Sequence, residues 1–265
     1  LVAEDLSMIP AVIAAIDRAW LLTASIEYIT ADALALHLVS CMKRRISENL
    51  DTIDLLISGV EVSLWIAEQF AGDMRLIFPQ LNITTISANK LLSYVPPVPG
   101  RRHTSFSKVP YFSGCENITP RKIDKSTCIL MISQSGQTFP TLQATRLLLS
   151  FTTTIDISKI WVLTGCFNSK MELALKESYE KQREDKSKRS ATVAEYPYPC
   201  RVFNNYSGHR SAEPSTVAVV ASYHTLTRMQ LHVMRFVRRL YPTGRIVHDW
   251  VYKNAVSTIW RYYKT

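Results

Sequence analysis

Apolar residues recur at helical spacing over residues 5–20 and 29–49, with a break around Thr23–Ile29. From residue 52 onward the pattern changes to short apolar runs separated by amphipathic ones. "TIDLLIS" (52–58) ends at Gly59 and is followed by the helical pattern "EVSLWIAEQFAG" (61–72). "NITTIS" (82–87), "STCILMIS" (126–133), "SKIWVLTG" (158–165) and "CRVFNN" (200–205) are the remaining strand candidates. Helical patterns follow at "TLQATRLLLSF" (141–151), "KMELALKES" (170–178), 215–240 and 244–263. Strands that are apolar on both faces and alternate with helices predict a parallel sheet covered on both sides. The expected fold is therefore α/β, a three-layer αβα sandwich around a five-stranded parallel sheet, with extra N-terminal and C-terminal helices. Two segments interrupt the repeat, 95–125 with five prolines and 178–199 with the charge run "KQREDKSKRSAT". Both read as surface insertions. The expected organisation is N-terminal helices over 1–50, the sandwich over 51–243, and a C-terminal helix over 244–265.

One strand end stands out. The apolar run of 128–132 stops in Ser133, Gln134, Ser135, Gly136, Gln137 and Thr138, just before a helical pattern. In an open parallel sheet, ligands bind beyond the carboxyl ends of the strands. Hydroxyls, the unpaired amides of a helix's first turn and the helix dipole together favour an anion there. Glycine allows a close backbone approach. An ordinary N-cap at Ser135 or Thr138 would account for one hydroxyl and leave the other polar positions open.

Composition limits the choices further. Hydrophobic residues make up 47% of the 265 positions and charged ones 20%, enough for a sizeable core and against global disorder. The formal charge is +9 with pI near 9.3, which admits nucleic acid, an anionic membrane surface, a phosphorylated ligand or only a solvated basic face. The strip of Arg228, Arg235, Arg238 and Arg239 is read as complementing a helix C-terminus, so no nucleic acid is expected. Membrane attachment is left open. Cys41, Cys115, Cys128, Cys166 and Cys200 form no CxxC pair, so neither a metal site nor a disulfide framework is indicated. Cys128 and Cys166 read as buried thiols, and a reducing, cytoplasmic setting is expected. Three sequons begin at Asn82, Asn117 and Asn205, two of them in strand candidates. Asp17 and Arg18 interrupt the apolar stretch 8–26, which argues against a spanning helix. The chain starts at Leu1 rather than Met, as a fragment would.

The stretch "LMISQSGQTFPTL" resembles the "SxSGxTxDT" signature of sugar isomerase (SIS) domains, most closely that of the first such domain of glucosamine-6-phosphate synthase. "SGHRSAEPSTVAVVASYHTLTRMQL" (207–231) and "LLISGVEVSLWIAEQFAG" (55–72) are similar to two further motifs of that family, in the same order. The resemblance covers roughly residues 50–240. It implies an SIS-type, flavodoxin-like sandwich that binds a phosphosugar, a carbohydrate derivative such as a hexose or aminosugar 6-phosphate, in carbohydrate-derivative metabolism. The implied phosphosugar-binding residues are Ser133, Gln134, Ser135, Gly136, Thr138, Thr141, Gly59 and Ser215. It implies no cofactor and no metal, and pairing as a homodimer or with a second SIS domain.

The sequence departs from the family pattern at sugar-facing positions. Val60 and Glu61 stand where the first loop usually carries hydroxyls, Val217 where the last motif carries lysine, and Arg210 where it carries glutamate. Aldose–ketose isomerisation needs a base and help with ring opening, and Glu213 and His209 are the candidate catalytic residues. Helix N-terminal electrostatics would equally account for Glu213, and solvent exposure for His209. His224 and His232 read as packing or interface residues. The resemblance therefore implies part of a glucosamine-6-phosphate synthase-like isomerase or aminotransferase acting on hexose 6-phosphate, which needs a second SIS domain; the alternative is a non-catalytic sugar-phosphate sensor or scaffold.

Overall fold

The computed structural model describes residues 2–47, 52–93, 123–151, 155–187, 201–208 and 216–240. The sandwich is present. Strands β1 (Leu55–Gly59), β2 (Ile83–Ser87), β3 (Cys128–Ile132), β4 (Ile160–Thr164) and β5 (Val202–Asn204) form one parallel sheet in the order β2-β1-β3-β4-β5. That is the flavodoxin-like order, and the chain reverses its direction of winding at β1 and β3. Helices α1 (Val2–Leu21), α2 (Ile26–Ser47), α3 (Val62–Ile77) and α7 (Thr216–Leu240) cover one face; α4 (Ala88–Ser93), α5 (Phe139–Ser150) and α6 (Lys170–Ser187) cover the other.

Strand alternation divides the core in two. Leu55, Ile57, Leu130, Ile132, Trp161, Leu163 and Phe203 face the α1–α2–α3–α7 layer. Leu56, Ile86, Ile129, Met131, Ile160 and Val162 face the other. β1, β3 and β4 are buried along their whole length, as their unbroken apolar runs require.

Several boundaries differ from the sequence pattern. The α1–α2 break is only residues 22–25. Helix α6 continues to Ser187, so the first part of the expected 178–199 insertion is helix. Glu, Lys, Gln and Arg are good helix formers even where nothing packs against them. Residues 95–122 and 188–199 of the expected insertions, the helix expected at 244–263, Cys115, Cys200 and Asn117 lie outside the described residues. Cys41 and Cys128 are buried, but Cys166 is only half-buried in a loop, because the apolar run ends before it. Asn82 and Asn205 are buried and pinned: Asn82 Nδ2 donates to the Thr52 carbonyl at 2.7 Å, and Asn205 Nδ2 to Ser222 Oγ at 2.7 Å. Neither presents an accessible glycan acceptor.

The N-terminal helices are integral to the fold. Asp17 on α1 accepts from Arg228 Nε at 2.8 Å and lies 2.6 Å from His224 Nε2, while Asp32 on α2 lies 2.8 Å from His232 Nε2. His224 and His232 are thus packing residues that tie α7 to α1 and α2. No single described helix is long and apolar enough to cross a membrane. One pair bent by 66°, Ala3–Leu21 with Ile26–Arg45, passes by length and composition.

His37 on α2 meets Trp161 of β4 edge to face at 5.7 Å between centroids, and the Arg201 guanidinium lies 4.9 Å over the same ring. Burial, with Lys159 and Arg201 nearby, pushes His37 down to about 4 against the opposing effect of Asp156. Because the folded pKa lies below the unfolded value of about 6.5, the unfolded chain binds the extra proton. Stability conferred by neutral His37 is therefore complete above pH 6.5 and is lost as pH falls towards 4. We expect urea unfolding to show a loss of about 2 kcal/mol from this group between pH 6.5 and 4.5. His37→Leu should flatten that part of the profile. An unchanged profile would refute the assignment.

Candidate functional site

Gly59 ends β1 and Ile132 ends β3, the two central strands where the winding reverses. A crevice beyond their carboxyl ends is where this topology places ligands. The loop Ser133–Thr138 emerges there. Ser133 continues the strand, its N–H donating to Leu163 O at 3.0 Å, and the Gly136 N–H turns back to Ser133 O at 3.1 Å. Gly136 has φ +60°, and an added Cβ would overlap Ser169 and lie 2.5 Å from its Oγ. At Gly59 an added Cβ would sit 2.9 Å from Ser63 Cβ and 3.2 Å from Ile132 O, so α3 and β3 close in on bare backbone. Among the described residues every positive φ, at Glu61, Gly136, Asn168, Tyr206 and Gly208, falls in a loop at this edge of the sheet. Such outliers concentrate where a fold is shaped by function.

The hydroxyls converge. Ser133 Oγ donates to Thr138 Oγ1 at 3.1 Å, and Ser135 Oγ lies 3.5 Å from the same atom. Ser135 Oγ also accepts from the Gln137 N–H at 3.2 Å. Thr138 is the N-cap of α5, yet its side chain makes no bond to the helix amides. An ordinary cap therefore does not account for this threonine. The first-turn N–H groups of Phe139 and Thr141 are left without a side-chain cap; Pro140 has none. These amides, the helix dipole and three hydroxyls make a neutral anion cradle. Thr141 is fully buried in the same turn, and its hydroxyl has no hydrogen-bond partner.

Gln134 serves the frame. Its backbone carbonyl accepts from Gly165 N at 2.7 Å and Thr164 Oγ1 at 3.2 Å, and its side-chain amide donates to Gly208 O at 3.0 Å. One residue thus braces the loops after β3, β4 and β5 together. The sequence reading missed Ser169 and Thr164. Ser169 caps α6, accepting from Glu172 N at 3.3 Å, and packs on Gly136. The capping box "SKME" could have marked it.

Glu61, the N-cap of α3, is exposed with φ 49° and no capping bond from its side chain. It is the carboxylate nearest the β1 end in sequence. His209, Glu213 and Ser215 lie outside the described residues. Among those described, no histidine sits in a loop at this edge: His37 is in α2, and His224 and His232 are in α7. The described part of the site is equipped to hold an anion and shows no acid–base pair. Val217, at the position of the family's lysine, is a buried core residue of α7. The exposed aromatic residues Trp65, Phe139 and Phe167 lie in the first turn of α3, at the start of α5 and just after β4.

No family model matches the chain. No curated protein sequence matches it either. Among solved structures, a Clostridium difficile 630 protein provisionally described as a phosphosugar isomerase aligns with a TM-score of 0.42 and 12% identity, over 88% of this chain and 50% of that one. The chain spans about half the length of that protein.

Proposed function

We propose that this domain binds a phosphosugar, with the phosphate seated on Ser133, Ser135, Thr138 and the first-turn amides of α5. The observation that carries this reading is the Thr138 cap. Its hydroxyl is held by Ser133 and kept off the helix backbone, which leaves both hydroxyl and amides for an anion at the switch point of a flavodoxin-like sheet. The resemblance of "SQSGQT" to the SIS signature supplies the sugar.

Of the two outcomes, the non-catalytic sensor is favoured over a synthase-like isomerase. Val217 is packed in the core where the family pattern carries a lysine, and Glu61 puts a carboxylate where it carries a hydroxyl. A catalytic role for Glu213 and His209 would need a second SIS domain to complete the site, with pairing between domains or between copies.

Titration calorimetry with fructose 6-phosphate tests the cradle. The Ser133→Ala, Ser135→Ala variant should lose about 3–6 kcal/mol of binding, a hundredfold or more, since hydrogen bonds to a charged group are worth about 1.5–3 kcal/mol each. Equal affinity in the variant would place the phosphate elsewhere.

A further inference from the structure

Helices α1 and α2 meet at a 66° bend whose corner, the tip, is "LLTASI", residues 21–26, and its apolar side chains face outward. Leu21 is 72% exposed, Leu22 66% and Ile26 54%. Elsewhere the two helices bury Val12, Ile16, Trp20, Leu34 and Leu38 in the core, and their other exposed large apolar residues, Leu6, Met8 and Leu36, are less exposed and scattered along them.

Basic residues lie on the two elements that meet beside the tip. Arg18, one turn before Leu21 and Leu22, is exposed. Trp20 and Tyr28, on either side of the turn, pack on His232 of α7 with centroids 6.1 and 4.4 Å apart. Arg235 and Arg239 follow His232 within about 10 Å along the helix. Both are exposed, and their charges are felt at His232. The acidic groups facing this region are already engaged: Asp32 with His232, Asp17 with Arg228 and His224, and Glu27 with the Tyr206 hydroxyl.

We propose that the α1–α2 tip is a docking element for an anionic lipid bilayer, with Leu21, Leu22 and Ile26 entering the interface and Arg18, Arg235 and Arg239 pairing with acidic headgroups. A narrow apolar tip with cations beside it has the composition of an interfacial anchor. A second copy of the chain fits less well. A two-fold contact through this patch would bring the same three arginines of each copy face to face. The buried faces of α1 and α2 leave the bend lying against the domain, as a surface anchor and not a span.

Co-sedimentation of the full chain with phosphatidylcholine vesicles, with and without phosphatidylserine, tests the proposal. The chain should partition onto the phosphatidylserine vesicles and not the neutral ones, and release as salt rises through about 0.5 M. Leu21→Asp with Leu22→Asp should abolish partitioning, and Arg235→Glu with Arg239→Glu should weaken it about tenfold or more. The arginine variant leaves the tip intact, so it tests the proposal even if the leucine variant fails to fold. No partitioning, equal partitioning on neutral vesicles, or unchanged partitioning of both variants would overturn it. So would a dimer in size-exclusion chromatography that the leucine variant dissolves.

Discussion

Gly136→Ala should destabilise the domain by about 2–5 kcal/mol and remove the stabilisation that the proposed cradle predicts with sugar phosphate. Two costs add. A side chain in the left-handed region costs roughly 1–2 kcal/mol. Forcing a methyl into a filled space costs about 1–3 more, and here the methyl would overlap Ser169, whose hydroxyl caps α6. Relief of that overlap moves either the β3–α5 loop or the start of α6. Either shift separates the hydroxyls that converge on Thr138. Denaturant unfolding measures the first effect and ligand-dependent melting the second. A variant of unchanged stability would show that the left-handed turn is not enforced.

The second large effect lies at the opposite end of the sheet. Asp54, fully buried just before β1, pairs with Arg45 and, at 3.6 Å, with Arg44, and accepts from the Asn82 N–H at 2.7 Å. Arg45 also donates to the Thr52 carbonyl, which the Asn82 side chain shares. One carboxylate thus joins the C-terminus of α2 to the starts of β1 and β2. Asp54→Ala removes the buried partner of two half-buried arginines and should cost about 3 kcal/mol, the low end of the range for breaking a buried pair. Asp54→Asn keeps an acceptor for the Asn82 amide and should cost less. Equal and small losses in both, by urea denaturation, would mean that the pair is screened and structurally idle.

What could be read from the sequence follows from what each signal depends on. Strands β1, β3 and β4 were legible because their apolar runs are unbroken, β2 because it is rich in β-branched residues, and the long helix α7 because its apolar positions are periodic. The loop 133–138 was legible because an apolar run ending in four small polar residues has few other uses. Helix α6 was cut short at residue 178 because a solvent-facing helix carries no apolar stripe to follow. Gln134, implied as a ligand residue by the resemblance, has a structural contact that the sequence does not show: its side chain spans two neighbouring loops to reach Gly208. No local pattern can reveal that contact, 74 positions away. The Asp54 cluster was hidden for the same reason, since "DTIDLL" reads as a turn and a strand until α2 is folded over it.

The central claim is a phosphate cradle at the end of β3, and ligand-dependent thermal unfolding tests it most directly. Fructose 6-phosphate or glucosamine 6-phosphate at about 100 times its Kd stabilises the folded state by about 2.7 kcal/mol, several degrees in Tm for a chain of this size. The account predicts that rise in the wild type, none with unphosphorylated fructose, and none in the Ser133→Ala, Ser135→Ala variant. A rise that persists in the variant, or no rise with any sugar phosphate, would contradict it.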